Sequence, residues 1–245
     1  MSEEAVGMAR VDDPFILALD TGDRERLLGL ARIMRGEVAT VKIGLEAYTR
    51  CGPEILVEMK EAGYRVFADL KLHDIPNTVR GAAAALAELE VDMFTVHVCG
   101  GRKMLEGAVE AAREAATKRG TGKPLVLGVT VLTSLGEAEL REAGWEGGVE
   151  ETVLRMATLG WDCGLDGFVC SPLELRALRE VLGGGPLLVA PGIRPRGAET
   201  HDQARTATPR EALQAGADYL VVGRAVTSHA DPREAMRSLR RAAGT

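Results

Sequence analysis

Long apolar runs are missing from this sequence, and so is any dense cluster of basic residues. No stretch approaches the roughly 20 consecutive apolar residues that a helix needs to cross a bilayer, which excludes a membrane-spanning reading. Lysine and arginine total 30 against 36 aspartate and glutamate, a net charge of −6. With no basic stripe, neither a nucleic acid nor an acidic membrane surface is expected as a partner. Cysteine is sparse: Cys51, Cys99, Cys163 and Cys170 show no CxxC spacing, and His73, His97, His201 and His229 are dispersed. A zinc site and a disulfide scaffold are both excluded on that pattern; the cysteines read as packing residues and a reduced cytoplasm is the expected compartment. Residues 1–12 are polar and acidic, so they read as a flexible tail rather than a signal peptide.

What the chain does contain is repetition. Its composition, 46% hydrophobic and 27% charged, is that of an ordinary globular domain. Short aliphatic or β-branched runs recur at Phe15 to Asp20, Thr40 to Leu45, Arg65 to Lys71, Met93 to Val98, Leu125 to Thr133, Gly167 to Ser171, Leu187 to Gly192 and Tyr219 to Arg224. Each is followed by a turn and a helical pattern. Asp23 is placed to cap the first helix, whose core face uses Leu27, Leu30 and Ala31, and Gly52-Pro53 opens the second. Ser171-Pro172-Leu173-Glu174, Thr208-Pro209-Arg210-Glu211 and Asp231-Pro232-Arg233-Glu234 have the form of capping sequences with proline at the first helical position. Near-continuous apolar strands alternating with helices indicate βαβ units in a parallel sheet buried on both faces. Eight of them predict a single-domain (β/α)8 TIM barrel over residues 13–245. A doubly wound open sheet is the alternative, and it lacks a GxGxxG after the first strand.

In such barrels the active site lies at the C-terminal ends of the strands. Those ends carry Asp20, Lys42, Asp69 with Lys71, His97, Thr133, Ser171, Arg194 and Gly223-Arg224. The densest stretch is FADLKLHDIPNTV, Phe67 to Val79, in which Asp69 and Lys71 share a strand face and Asp74 lies just beyond, before an Ile-Pro that forces extended backbone. Asp74 therefore reaches into a loop or across to a neighbouring chain. Asp/Lys clusters are as a rule surface salt bridges. Here, however, two of the chain's six lysines, Lys42 and Lys71, sit inside apolar strands. Buried ammonium groups must be paired or functional, and interleaving with Asp20 and Asp69 would give an alternating charge array. It is either a structural ion network or a catalytic one. At strands seven and eight, Gly192-Ile193-Arg194 and Gly223-Arg224 place glycines and guanidinium groups where barrels of this kind hold phosphate. The stretch from Gly192 to Ala207, with Pro195, Gly197 and Gln203, has the length of a lid loop. His97 reads as a hydrogen-bonded core histidine and Ser171 as a cap.

DLKLHDIPNTV resembles the signature of the orotidine 5′-phosphate decarboxylase family, of the bacterial type. The likeness continues through LALD, VKIGLE, VLTS, PGIR and VVGRAVT in the family's order, over nearly the whole barrel. It implies decarboxylation of orotidine 5′-monophosphate to uridine 5′-monophosphate without cofactor or metal. On that resemblance Lys71 is the proton donor to C6 of the pyrimidine, and Asp69 lies beside the departing carboxylate. Asp20 and Lys42 bind ribose hydroxyls, Thr133 meets the pyrimidine edge, and Arg194, Gly223 and Arg224 contact phosphate. Gln203 links base to phosphate from the lid. Asp74, Ile75 and Thr78 are supplied across the interface of a homodimer. Two other readings are kept open: a metal-dependent sugar-phosphate decarboxylase sharing the D-x-K-x-x-D arrangement, for which Glu46 is the one obvious additional acid, and a nucleotide-binding barrel without catalysis.

Overall fold

The computed structural model describes residues 13–194 and 206–244. The expected tail over 1–12, together with Pro195, Gly197 and Gln203, lies outside the described residues. Eight parallel strands close on one another in chain order. They are β1 (Phe15–Ala18), β2 (Thr40–Gly44), β3 (Arg65–Leu72), β4 (Met93–His97), β5 (Leu125–Val129), β6 (Gly167–Val169), β7 (Leu187–Ala190) and β8 (Tyr219–Val222). The pairing of β8 with β1, Val221 beside Ile16, completes the ring.

Alternate residues of each strand serve two separate cores. Ile16, Phe67, Met93, Leu127 and Val189 pack inside the barrel. Leu17, Val41, Ile43, Phe94 and Val126 face outward into the larger apolar shell beneath the helices. Both sets are apolar, so the strands read as continuous hydrophobic runs rather than an alternation. Following the inward parity upward leads from Phe67 to Asp69, from Thr40 to Lys42 and from Met93 to Thr95 and His97. The side-chain period that fills the barrel floor therefore also lifts Lys42 and Asp69 into its mouth, with Thr95 buried beneath them.

The helices start largely where their caps predict. Asp23 accepts from the Arg26 amide at 3.1 Å ahead of the helix Arg24–Met34, which buries Leu27, Leu30, Ala31 and Met34. Thr208 and Glu211 form a reciprocal capping box before Pro209–Gln214, and Asp231 accepts from the Glu234 amide at 3.1 Å before Pro232–Ala243. Ser171 differs. Its amide donates to Glu174 Oε2 at 2.8 Å and its hydroxyl accepts from Leu173 N at 3.3 Å. A bond from the Glu174 amide to the Ser171 carbonyl closes this into a separate turn, and the helix begins only at Leu175. Two helices follow β2 rather than one: Leu45–Cys51 starts directly at the strand end, Gly52 breaks it with φ +74°, and Glu54–Glu61 follows. Short helices at Glu137–Glu142 and Arg224–Thr227 fill stretches that carry no strong periodic signal.

The opposite, N-terminal end of the barrel is tied by a repeated device. Asp92, Asp166 and Asp218, each lying just before an even-numbered strand, accept from the amides of Val66, Val126 and Leu188 at 2.7, 2.8 and 2.7 Å. Each also meets a cation: Lys60 at 2.8 Å, Arg113 at 3.3 Å and Arg179 at 2.6 Å. Asp13 does the corresponding work beside β1, accepting from Ala39 N at 3.0 Å and pairing with Arg240 at 2.9 Å.

Candidate active site

Four charged side chains alternate in sign across the mouth of the barrel. The register that sets Ala18 beside Lys42 brings β2 under Asp20, and the one that sets Gly44 beside Asp69 brings β2 against β3. Lys42 Nζ lies 3.0 Å from Asp20 Oδ1 and 3.2 Å from Asp69 Oδ2, and Lys71 Nζ lies 2.8 Å from Asp69 Oδ1. The two inner members are nearly dry, with side-chain exposures of 10% for Lys42 and 11% for Asp69, against 51% for Asp20 and 27% for Lys71. Burial alone would push the Asp69 carboxyl up, but the Lys42 and Lys71 ammoniums outweigh it and hold that carboxyl below the usual range. Burial would likewise lower Lys42, and the carboxylates of Asp69 and Asp20 hold it above its ordinary value instead. Asp69 is thus a fixed anion and Lys42 a fixed cation.

Lys71 reaches Asp69 by a route that simple strand parity does not describe. Between the pairs Ala68–Phe94 and Leu72–Val96, β3 advances by four residues while β4 advances by two. The surplus is taken up in a bulge, in which Lys71 adopts φ +51°, a left-handed conformation unusual for a residue with a side chain. Thr95 of β4 lies opposite this bulge. Its hydroxyl accepts from the Lys71 amide at 2.9 Å and donates to Asp69 Oδ1 at 3.1 Å. The sequence offers one signal for Thr95, its place between Met93 and His97 on the inward parity of MFTVHV, and that signal does not announce a hydrogen-bonding role.

The ends of β7 and β8 face the array, because strands three and seven lie opposite each other in a closed ring of eight. Arg194 is buried, with one terminal nitrogen donating to the Ile193 carbonyl at 3.1 Å. Its Nε is buried without a hydrogen-bond partner among the described residues. Burial, and then the neighbouring Arg224 guanidinium, push Arg194 down from its ordinary value. Two like charges held this way favour an anion between or beside them. The backbone at Arg194 is pinned to Ala207: Arg194 N donates to the Ala207 carbonyl at 3.0 Å, and Ala207 N to that of Gly192 at 3.3 Å.

Between the array and the arginines lies a cavity of about 470 Å³. Phe67, Val129, Val169 and Val221 give it an apolar floor, and Asp20, Lys42, Asp69, Lys71, Thr133, Arg194, Gly223 and Arg224 all contribute to its walls. Glu46 also borders it, with Oε1 accepting from the Gly22 amide at 3.0 Å. Asp74, Ile75 and Thr78 do not line it. They stand exposed beside it, Ile75 at 67%, and Asp74 Oδ1 takes the amide of Ile75 at 2.6 Å. His97 is half-buried and does not line the cavity. Its ring centroid lies 5.6 Å from that of His73, and burial, then His73 and Lys71, lower its pKa toward a neutral imidazole.

Fold and site together define a (β/α)8-barrel enzyme, with paired lysines and aspartates at strands one to three and arginines at strands seven and eight. The model of the orotidine 5′-phosphate decarboxylase / HUMPS family matches residues 13–239, and the chain belongs to that family. It is 48% identical over 228 residues to the orotidine 5′-phosphate decarboxylase of Moorella thermoacetica, covering 93% of this chain and 90% of that protein. To the enzyme of the same name from Coxiella burnetii (strain RSA 331) it is 44% identical over 232 residues, covering 95% and 97%. The crystal structure of orotidine 5′-phosphate decarboxylase from Lactobacillus acidophilus superposes with a TM-score of 0.85 at 36% identity, over 96% of this chain and 100% of that one.

Proposed function

We propose that this enzyme converts orotidine 5′-monophosphate to uridine 5′-monophosphate and carbon dioxide, the last step of de novo UMP synthesis. The observation that carries the reading is the alternating Asp20–Lys42–Asp69–Lys71 array, its two inner members nearly dry, facing a buried guanidinium across one cavity. The substrate has the same polarity: a carboxylated pyrimidine at one end and a phosphate at the other.

Cleavage of the bond between C6 and the carboxylate leaves the electron pair on C6, with no ring position able to delocalise it. Enzymes lower barriers by roughly 8–23 kcal/mol, and a localised carbanion calls for the upper part of that range. The Lys71 ammonium, fixed by Asp69, stabilises that developing charge and then gives its proton to C6; carbon dioxide leaves, and solvent returns the proton to the lysine. Asp69, an anion held beside the departing carboxylate, favours loss of the negative group, and Asp74 of the partner subunit adds to that field. Asp20 and Lys42 bind the ribose hydroxyls and Thr133 the pyrimidine edge. Arg194, Gly223 and Arg224 bind the phosphate, with Gln203 linking base to phosphate, so that binding energy far from C6 supports the chemical step.

The exposure of Asp74, Ile75 and Thr78 beside the cavity supports a homodimer in which each subunit completes the other's site. Among the described residues no helix is long and apolar enough to cross a membrane, in keeping with a cytoplasmic enzyme. The test is the ultraviolet change on turnover of orotidine 5′-monophosphate, with and without excess EDTA. Turnover indifferent to the chelator, and lost in Lys71→Ala while nucleotide binding persists, is the expected result. A chelator-sensitive rate would return the sugar-phosphate reading, and full turnover by Lys71→Ala would remove Lys71 from the chemistry.

A further inference from the structure

The residue opposite the β3 bulge bears on the reaction without lining the cavity. Thr95 is fully buried, and a single hydroxyl there serves two members of the catalytic array. A bulge leaves backbone groups without their ladder partners, and an unpaired buried amide is costly. The Lys71 amide escapes that cost by donating to Thr95 Oγ1 at 2.9 Å. Having accepted that bond, the hydroxyl directs its own hydrogen to Asp69 Oδ1 at 3.1 Å, the same oxygen that the Lys71 ammonium meets at 2.8 Å. Backbone, side chain and counter-ion of the lysine therefore converge on one threonine. Left-handed backbone costs a residue with a Cβ about 1–2 kcal/mol and persists only where its surroundings impose it.

We infer that Thr95 is a positioning residue for decarboxylation, locking Lys71 into its left-handed conformation and orienting the Asp69 carboxylate toward it. This rests on the function proposed above. Strand β4 supplies the lock because its inward parity runs Met93, Thr95, His97, which puts a short hydroxyl side chain at the level of the bulge. Serine retains the hydroxyl; valine keeps the shape of threonine and removes both hydrogen bonds; alanine removes them and leaves space.

The experiment compares Thr95→Val, Thr95→Ala and Thr95→Ser at equal folded fraction, measuring kcat and KM for orotidine 5′-monophosphate and solving the structure of the valine variant. Expected are a fall in kcat of about ten- to a hundredfold for valine and alanine, the range for a hydrogen bond to a charged group, a KM within a few-fold of wild type, and recovery of most of the rate in serine. Lys71 in the valine variant should leave the region near φ +51°. Should valine fail to fold, the alanine and serine pair decides the matter. A wild-type kcat in valine or alanine, or a serine variant as slow as alanine, overturns the inference. If wild-type protein does not turn over the nucleotide at all, it is the proposed function that falls. The positioning role is then decided by the valine structure alone, with unchanged Lys71 and Asp69 geometry counting against it.

Discussion

Asp69 is the residue on which the other charges depend, since among the described residues it alone touches both lysines. Removing one member of a buried ion network leaves its partners uncompensated, which typically costs about 3–5 kcal/mol. Asp69→Asn should therefore lower the unfolding free energy by about that amount near neutral pH, as read by urea denaturation. The pH dependence follows from the direction of the shift. Asp69 is held below the ordinary carboxylate value, so its contribution is complete above the unfolded value of about 4 and is lost as pH falls through the lower folded value. The gap between wild type and variant should close on that acid side. Lys42, held above its ordinary value, keeps its contribution below the unfolded lysine value of about 10.4 and loses it only at higher pH. A gap that stayed constant down to pH 2 would mean that Asp69 is not the stabilising anion. Residue types and strand parity were enough to read Asp20, Lys42, Asp69 and Lys71 as one array. They were not enough to show that Lys71 gets there through a bulge, because the missing information is how β4 pairs with β3, a property of two strands distant in the chain.

At the level of elements the barrel keeps its chemistry at one end, while the other end serves stability alone. The C-terminal ends carry the charge array, whereas the N-terminal ends carry the Asp92, Asp166 and Asp218 ties between neighbouring strands and helices. These aspartates precede strands in VDMF, LDGF and ADYL, a repeated pattern that only makes sense once the strands are known to be adjacent. Helix caps, by contrast, are local, and Asp23, Thr208 and Asp231 were legible directly. Ser171 misleads for a physical reason: its amide donates to the Glu174 carboxylate as in a capping box, but its hydroxyl takes the Leu173 amide and its carbonyl the Glu174 amide, a turn that delays the helix to Leu175. Asp218→Ala strips the Leu188 amide of its acceptor and Arg179 of its carboxylate, leaving the guanidinium only backbone carbonyls, at the end remote from the cavity. Stability should fall by about 1–3 kcal/mol, the cost of an unsatisfied buried group, while kcat per folded molecule stays at the wild-type value. A kcat loss matching that of the site variants would show that the two ends are not independent.

For the whole molecule, the proposed homodimer turns on the residues that stand outside the cavity of a single barrel. The cavity of a single barrel holds Asp20, Lys42, Asp69 and Lys71, yet Asp74 of the same short motif stands outside it, on an exposed stretch next to a 67%-exposed Ile75. A lone exposed isoleucine is ordinary on a monomer, so the proposed two-fold contact, in which each chain presents the same patch to its partner, rests on Asp74, Ile75 and Thr78 all standing outside their own cavity. The resemblance in DLKLHDIPNTV implied that sharing; the barrel supports it by leaving these side chains off their own cavity wall. A mixing experiment tests it. If the sites are shared as proposed, Lys71→Ala and Asp74→Ala should each inactivate both sites of their own homodimer. In a hybrid of the two, one site takes Lys71 from the Asp74→Ala chain and Asp74 from the Lys71→Ala chain, and is whole. After unfolding and refolding an equal mixture, random pairing makes half the dimers hybrid, each with one working site, so about a quarter of the wild-type rate should return. Separate refolding of each variant should return none. If the mixture is as inactive as its components, each chain uses its own Asp74 and the sites are not shared. The same mixture diluted until sedimentation shows monomer should lose the regained activity, because a site composed of two chains cannot outlast their contact.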